Sequence, residues 1–233
     1  MTDSLPIVCI PGLACSARLY EHQIPALWTV GPVMVARPTE HDRIAALARS
    51  ILAAAPERFA LLGLSMGGYL SFEILRQAPQ RVAKLALLDT SARPDTPEQS
   101  ENRRAQIRLA ATTPAGAIAD GLFPRRVHRS RRDDEGLRGI FRQMAEEVGT
   151  AAYARQQAAI IDRPDSRPTL STIRCPTLVV VGDGDELTPP PVAAEIANGI
   201  PGARLVTVAD CGHACTVELP AEVTAVLLEW ARG

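Results

Sequence analysis

The sequence has almost no lysine and almost no net charge. Of its 25 basic residues only Lys84 is a lysine, and the rest are arginine. Because alanine is also frequent, we attribute this bias to genomic base composition and infer no function from it. The formal net charge is −1, so the chain lacks the basic excess of a protein whose main role is binding nucleic acid.

Long apolar runs and paired cysteines are also missing. No apolar run is long enough to cross a bilayer, and Met1 to Pro6 shows neither the basic region nor the apolar stretch of a secretory signal. We therefore expect a cytoplasmic protein without membrane contact, whose five scattered cysteines are reduced. Cys211, His213 and Cys215 have no second pair of ligands nearby in sequence, so we expect no metal and no cofactor.

Short apolar runs alternate with helical patterns. The predicted strands are Pro6–Ile10, Val33–Ala36, Phe59–Leu62, Val82–Leu88, Thr177–Val181 and Arg204–Val208. The predicted helices between and after them are Leu19–Leu27, Asp42–Ala54, Gly67–Gln77, Pro190–Asn198 and Ala221–Ala231. Nearly continuous apolar strands are typical of a mostly parallel sheet that is covered on both faces. The loops that follow such strands gather along one edge, where sites form.

The alternation stops between about Arg93 and Ser171. Prolines punctuate this stretch, and amphipathic patterns predict helices at Glu98–Ala111, Ala115–Leu122, Glu135–Val148 and Ala151–Ile161. At 233 residues the chain is long enough for one large domain with an insertion. We therefore predict an α/β core of residues 1–92 and 172–233, and a helical cap of residues 93–171 that covers the carboxyl edge of the sheet as a lid.

The most informative motif follows the third predicted strand. There the chain reads Gly-Leu-Ser-Met-Gly-Gly over residues 63–68 and continues as a helix, which is the context of a nucleophile elbow. Ser65 would sit on a sharp turn, flanked by Gly63 and Gly67 because a Cβ at either position would crowd the turn. By itself the pattern also fits an ordinary strand-to-helix turn.

A serine hydroxyl needs a neighbouring base, and the base needs an orienting acid. Asp183 and Asp185 both follow the fifth strand; we assign Asp185 as the acid and interpret Asp183 as a turn residue beside glycine. His213 follows the last strand and is the histidine whose position suits the base. The order Ser, Asp, His is the one that this kind of elbow uses. We interpret the neighbouring Asp210 as a loop residue.

Two backbone amides are expected to stabilise an oxyanion. One is Met66, directly after the serine, and the other is Leu13 in the loop after the first strand, where Gly12 permits a close backbone approach. Ser16 in the same loop is interpreted as a helix cap rather than a second nucleophile. Cys15 is expected to line the pocket, since it has no elbow of its own.

These motifs resemble the α/β-hydrolase superfamily over nearly the whole chain. The matching segments are residues 10–13, 63–68, 182–189 and 212–213, together with Glu218-Leu219-Pro220 and the closing helix. The chain is most similar to small bacterial carboxylesterases, enol-lactonases and carrier-protein methyl ester esterases with a helical cap. It departs from many members in having Pro11-Gly12 where they have His-Gly. It also has no room for an initial hairpin, which implies about six strands.

The resemblance implies a serine hydrolase that cleaves a carboxylic ester or thioester of a small molecule through an acyl-enzyme on Ser65. Dehalogenases of this fold carry aspartate in place of that serine, so dehalogenation is disfavoured. The same triad also serves lyases, carbon–carbon bond hydrolases, cofactor-free haloperoxidase-like enzymes and small-molecule receptors. Fold and triad do not choose among these.

The predicted cap holds a cluster of arginines: Arg103, Arg104, Arg108, Arg125, Arg126, Arg129, Arg131 and Arg132. One interpretation is capture of an anionic substrate, such as a carboxylate, a coenzyme A thioester or an acidic carrier protein. The other is a solvated lid surface in an arginine-biased protein, with Asp133, Asp134 and Glu135 balancing the charge. We favour the second for the cluster as a whole.

Overall fold

Six short strands form one sheet in the computed structural model of this protein, which describes residues 4–233. The first three residues belong to the N-terminal stretch interpreted as lacking a signal, and they lie outside the described range. The strands are β1 Ile7–Ile10, β2 Val33–Val35, β3 Phe59–Leu64, β4 Val82–Leu88, β5 Thr177–Gly182 and β6 Arg204–Val208. The prediction of six strands is confirmed.

All neighbouring strands are parallel, in the order β2-β1-β3-β4-β5-β6. The chain steps from β1 to β2 on one side and then crosses to β3 on the other side. The connections that follow β1 and β3 therefore leave in opposite directions, which opens a crevice at the carboxyl ends of these two strands, where open parallel sheets bind ligands. The topology therefore locates a site at the ends of β1 and β3.

Helices cover both faces of the sheet. They are α1 Ile24–Leu27, α2 Ile44–Ala54, α3 Met66–Gln77, α4 Pro97–Ala110, α5 Ala115–Arg126, α6 Glu135–Val148, α7 Thr150–Ile161, α8 Arg167–Leu170, α9 Pro190–Gly199, α10 Cys215–Glu218 and α11 Pro220–Arg232. Three 3-10 turns lie at Ala17–Tyr20, Pro79–Arg81 and Arg129–Arg131. Among the helices of residues 4–233, none has both the length and the apolar character needed to span a membrane.

Two apolar cores sandwich the sheet. Side chains of α2, α3 and α9 pack on one face, and those of α1, α10 and α11 pack on the other. A third, smaller cluster joins the loop after β1 to the helices α4 to α7, which lie between β4 and β5. These helices are thus packed onto the carboxyl edge of the sheet at the end of β1.

The structure corrects two predicted helices. The pattern over Leu19–Leu27 is not one helix but the 3-10 turn Ala17–Tyr20 followed by α1, because Pro25 has no N–H to continue a preceding helix and instead lies in the first turn of a new one. The helix predicted to end at Leu122 runs on to Arg126 as α5, with Pro124 inside its last turn. The other predicted elements differ only at their ends.

The tightest packing in the core is where α3 crosses the end of β1. A Cβ added at Gly67 would overlap the carbonyl oxygen of Ile10, and one added at Gly63 would overlap the carbonyl of Gly67. Backbone meets backbone here, so neither neighbour is able to give way as a flexible side chain would. The two glycines that the sequence motif requires are therefore the ones that let the helix start directly against the sheet.

We predict that Gly67→Ala lowers the free energy of unfolding by about 3 kcal/mol, because the added methyl group forces α3 away from β1. The matched control is Gly139→Ala in α6, where the added Cβ meets nothing within 4 Å. That variant should gain up to about 1 kcal/mol from helix propensity. Urea unfolding followed by circular dichroism measures both. Equal changes in the two variants would contradict a rigid crossing.

Candidate active site

Ser65 occupies the turn between β3 and α3 in a backbone conformation that L-residues rarely adopt. Its φ is 55° and its ψ is −114°. The turn is held by two hydrogen bonds: the Ser65 N–H donates to the Leu88 carbonyl at 2.9 Å, and the Thr90 hydroxyl donates to the Ser65 carbonyl at 2.8 Å. Such strained positions cluster at functional sites. The hydroxyl is left half-buried, at the carboxyl edge of the sheet.

The structure brings the three predicted triad residues together. The Ser65 Oγ lies 2.9 Å from His213 Nε2, and His213 Nδ1 lies 2.8 Å from Asp185 Oδ2. With Nδ1 protonated, the ring donates to the carboxylate and Nε2 is left to accept the serine proton. Burial alone lowers the pKa of His213, but the charge of Asp185 and its hydrogen bond outweigh burial and raise that pKa above the ordinary histidine value.

Asp185 is fixed by its own loop. Its Oδ1 accepts the backbone N–H groups of Leu187 and Thr188 at 2.8 and 3.0 Å, and its Oδ2 accepts the Thr188 hydroxyl at 2.7 Å. Burial raises its pKa, but His213 and these hydrogen bonds together bring the pKa down to about 2. The acid is thus ionised at any pH near neutrality.

Asp183, the competing candidate for the acid, bonds to a backbone amide and not to His213. Its Oδ1 accepts the backbone N–H of Cys211 at 3.3 Å, which ties the two loops together. Asp210 has a φ of 53° and turns the chain toward His213. Neither of these aspartates bonds to the imidazole among the described residues.

The two predicted oxyanion amides have no partner within the described part of the chain. The N–H groups of Leu13 and Met66 donate to no protein acceptor there. The loop lies close to the serine, since a Cβ added at Gly12 would be 3.4 Å from the Ser65 Cβ. Met66 opens α3, so its amide also carries the positive end of the helix dipole. Free donors in this position suit an oxyanion.

Side chains of the insertion hold the loop after β1 in place. Gln156 in α7 accepts the buried N–H of Ala14 at 2.9 Å and donates to the Pro38 carbonyl at 3.0 Å. Ala14 has a φ of 56°, so this glutamine secures a strained residue next to Leu13. Ser16 caps the following 3-10 turn, as predicted, and its hydroxyl donates to Glu147 of α6.

The loop that carries His213 is clamped by a buried carboxylate. Glu218 accepts the N–H groups of Gly212 at 3.0 Å, Ala214 at 3.2 Å and His128 at 2.7 Å. Burial raises the pKa of Glu218. Because His128 belongs to the insertion, this one side chain ties the histidine loop to the helices above the sheet.

A second buried carboxyl lies behind the triad. Asp89 directly follows β4, has a φ of 43°, and accepts the N–H groups of Gly182 at 3.1 Å and Cys215 at 3.2 Å. Burial, and after it the charge of Asp185, raises its pKa to about 7. Asp89 thus links the end of β5, which leads into the loop of Asp185, to the segment that follows His213.

The cysteines near the site are buried thiols. Burial raises the pKa of Cys15, Cys211 and Cys215. Both ring nitrogens of His213 are engaged by the serine and the acid. Across residues 4–233, no three His, Cys, Asp or Glu side chains come together as a metal ion would require.

Sequence reasoning missed Thr188, Glu218, Gln156 and Asp89 as parts of the site. Thr188 and Glu218 lie inside the segments 182–189 and 218–220 that carry the resemblance, so these motifs contain a usable signal. Gln156 had none, because nothing in the pattern of α7 indicates that one glutamine reaches a loop 142 positions earlier.

A parallel sheet with a serine elbow at its switch point defines an α/β hydrolase. A sequence model of the alpha/beta hydrolase family matches residues 7–226. A pimeloyl-acyl carrier protein methyl ester esterase from Aromatoleum aromaticum is 27% identical over 209 residues, covering 84% of this chain and 83% of its own. The chain belongs to the α/β-hydrolase family, and it is a hydrolase.

Solved structures agree with this assignment. A thermophilic esterase from Thermogutta terrifontis, with malate bound, has a TM-score of 0.88 and 31% identity, covering 98% of this chain and 89% of its own. The enol-lactonase from Burkholderia xenovorans LB400 has a TM-score of 0.88 and 25% identity, covering 99% of this chain and 92% of its own. The fold prediction and the resemblance are confirmed.

We predict that Gln156→Leu lowers kcat by about tenfold, because the Ala14 N–H loses its acceptor and the loop beside Leu13 relaxes. Gln157→Leu is the matched control. That residue is also buried in α7, but its bonds go to Tyr153 and Arg103 within the insertion. Both variants should lose about 1 to 3 kcal/mol of stability. An equal fall in kcat for both would contradict a specific effect on the loop.

Proposed function

We propose that this protein hydrolyses a carboxylic ester or thioester of a small molecule through an acyl-enzyme on Ser65. The observation that carries the proposal is the continuous hydrogen-bond chain from Ser65 through His213 to Asp185, at 2.9 and 2.8 Å. Ser65, at the start of this chain, lies beside the two free amides of Leu13 and Met66. A nucleophile, a base, an orienting acid and oxyanion donors are the parts that acyl transfer needs.

In the first half-reaction the Ser65 oxygen attacks the substrate carbonyl while His213 Nε2 takes its proton. The carbonyl oxygen becomes an oxyanion and accepts hydrogen bonds from the amides of Leu13 and Met66. Each such donor is typically worth about 3 to 4 kcal/mol in the transition state. The imidazolium is stabilised by the ionised Asp185. It then gives its proton to the departing alcohol or thiol as the carbon–oxygen or carbon–sulfur bond breaks.

In the second half-reaction water replaces the alcohol. His213 takes a proton from the water, whose oxygen attacks the acyl carbon of the ester on Ser65. The same two amides hold the second oxyanion, and the serine oxygen leaves with the proton that His213 returns. The products are a carboxylic acid and free enzyme. No residue changes its oxidation state, and the triad ends as it began.

We also propose that residues 93–171 act as the cap over this site. The third apolar cluster supports this role, since it packs Ala14 beside the oxyanion loop against Ile118, Ala145 and Tyr153 of the insertion. A small molecule would reach Ser65 beneath these helices. Two of the relatives, an enol-lactonase and a methyl ester esterase, act on substrates with an acyl–oxygen bond. They support the same class for this chain.

We predict that a fluorophosphonate probe adds once to the wild-type protein and that Ser65→Ala takes no label while remaining folded. Ser16→Ala is the control variant, because the Ser16 hydroxyl bonds to Glu147 and to no histidine, and this variant should still be labelled. Intact mass and turnover of p-nitrophenyl esters are the readouts. No adduct and no turnover from folded wild type would refute the acyl-enzyme and favour the lyase or receptor alternatives.

We predict that Asp185→Asn lowers kcat/KM by about 10⁴-fold, whereas Asp183→Asn changes it by less than tenfold. His213 must be neutral to act, and Asp185 raises its pKa, so the acid limb of wild-type kcat/KM should lie above about pH 6.5. Without the aspartate charge, His213 is harder to protonate and the limb moves to lower pH. A pH profile of each variant measures this. A larger loss for Asp183→Asn would reverse the assignment.

A further inference from the structure

Most arginines of the insertion already have partners or face solvent. Arg125 and Arg129 are exposed, and Arg131 donates to the carbonyl of Asp210. The remaining arginines of the cluster form ion pairs: Arg103 with Asp95, Arg104 and Arg108 with Glu101, and Arg132 with Glu186. These contacts support the interpretation of the cluster as a lid surface, with one exception.

The exception is Arg126, at the end of α5. Its residue surface is only 7% exposed, and it forms no ion pair with any residue in the described part of the chain. Its Nη2 donates to the Leu13 carbonyl at 3.0 Å, but its buried Nη1 has no hydrogen-bond partner. Arg163 is buried to the same degree at 8% exposed, yet its Nη1 pairs with Asp95 at 2.6 Å.

The guanidinium of Arg126 lies against the loop after β1, close to the proposed oxyanion donors. It bonds to the carbonyl of Leu13, the residue whose N–H is the proposed oxyanion donor. Its Cζ lies 5.6 Å from the centre of the Phe141 ring. Burial raises the pKa of Cys15 and of Tyr153, and the positive charge of Arg126 opposes both shifts, so both side chains lie within its field. The charge acts on His213 as well.

A buried cation without a counter-ion is costly, since both its charge and its free N–H groups have lost water. The chain supplies a carboxylate to Arg163 but none to Arg126. The missing partner is therefore expected to arrive with the substrate. We propose that Arg126 is a specificity residue that binds a carboxylate carried by the substrate, so that the preferred substrate is the ester of an acid with a second, free carboxylate.

One free nitrogen suits a carboxylate better than a phosphate dianion. A phosphate has more oxygens and more charge to satisfy, and the surroundings of Arg126 are aromatic or already bonded. Phe141 has no donor, and the hydroxyl of Tyr153 bonds to Gln106 and Gln157. The planar fork of Arg126 holds the Leu13 carbonyl with Nη2, which leaves Nη1 for one oxygen of a carboxylate. This inference deepens the proposed function and rests on it.

The test compares two substrates of equal length: the monomethyl ester of a dicarboxylic acid and the same methyl ester with a terminal amide. The series runs from succinate to pimelate derivatives. For the substrate chain length that the wild-type protein cleaves best, kcat/KM should be higher for the acid than for the amide. In Arg126→Gln that ratio should fall by about 10- to 100-fold, mainly through KM of the acid, because one charge-assisted contact is lost. Arg126→Lys keeps the charge without the fork and should retain part of the ratio.

Arg125→Gln is the matched control, because it removes an adjacent but exposed charge. It should leave the ratio within about twofold of wild type. A general disturbance of the oxyanion loop through Leu13 would lower kcat/KM for both substrates by the same factor, so their ratio would not change. An unchanged ratio in Arg126→Gln, an equal loss in Arg125→Gln, or a wild-type preference for the amide would each overturn the proposal.

A binding measurement tests the carboxylate site independently of ester hydrolysis. Ser65→Ala and the double variant Ser65→Ala with Arg126→Gln are titrated with monomethyl glutarate by calorimetry. Tighter binding to the single variant, by at least tenfold, supports the carboxylate site even if no ester is turned over. Equal affinities overturn it even if the esterase activity is present. If Arg126→Gln does not fold, the same comparison is made with Arg126→Lys, which should bind more weakly than the arginine form.

Discussion

The site depends on one close backbone crossing, where α3 begins against the end of β1. The absence of Cβ atoms at Gly63 and Gly67 lets the helix start within contact of the Ile10 carbonyl. Ser65 is held at a φ of 55° between these two glycines, at a typical cost of about 1 to 3 kcal/mol that the surrounding sheet must offset. This conformation places the serine hydroxyl and the first amides of α3 at the same crevice.

The other groups of the site lie on loops, and side chains from elsewhere in the chain hold these loops in place. The loop after β1 is held by Gln156, and the loop that carries His213 is held by Glu218. Glu218 also accepts the N–H of His128, so both loops are bonded to the insertion. The helices of the insertion therefore help to hold the two loops of the candidate site in place. A change deep in the insertion is transmitted to the site through these few hydrogen bonds.

The sequence predicted what local chemistry determines. The turn at Ser65 needs glycines at fixed offsets, and buried parallel strands need continuous apolar runs, so the elbow and the six strands were readable from the sequence. Asp183 and Asp185 are only two positions apart. The sequence distinguishes them by turn chemistry alone, which assigns Asp183 to the turn beside glycine and Asp185 to the role of the acid. Their different partners, His213 and the amide of Cys211, follow from how the β5 loop folds.

What the sequence did not predict depends on contacts between distant segments. The hydrogen bond from Ala14 to Gln156 joins positions 142 apart, and that from Arg126 to Leu13 joins positions 113 apart. Eight arginines of the insertion look alike in composition, and only their three-dimensional partners separate Arg126 from the rest. The prediction of one helix over Leu19–Leu27 is wrong for a local reason: the apolar pattern continues across Pro25, which has no N–H to extend a preceding helix.

The charges near His213 act on its pKa in opposite directions. Asp185 is ionised and raises the histidine pKa, and Asp89 adds to this effect when it loses its proton. The positive charge of Arg126 lowers that pKa. A bound carboxylate would neutralise Arg126 and remove that opposition, which makes the imidazole a stronger base when the preferred substrate is present. On this view the arginine selects the substrate and also couples its arrival to the basicity of the residue that activates Ser65.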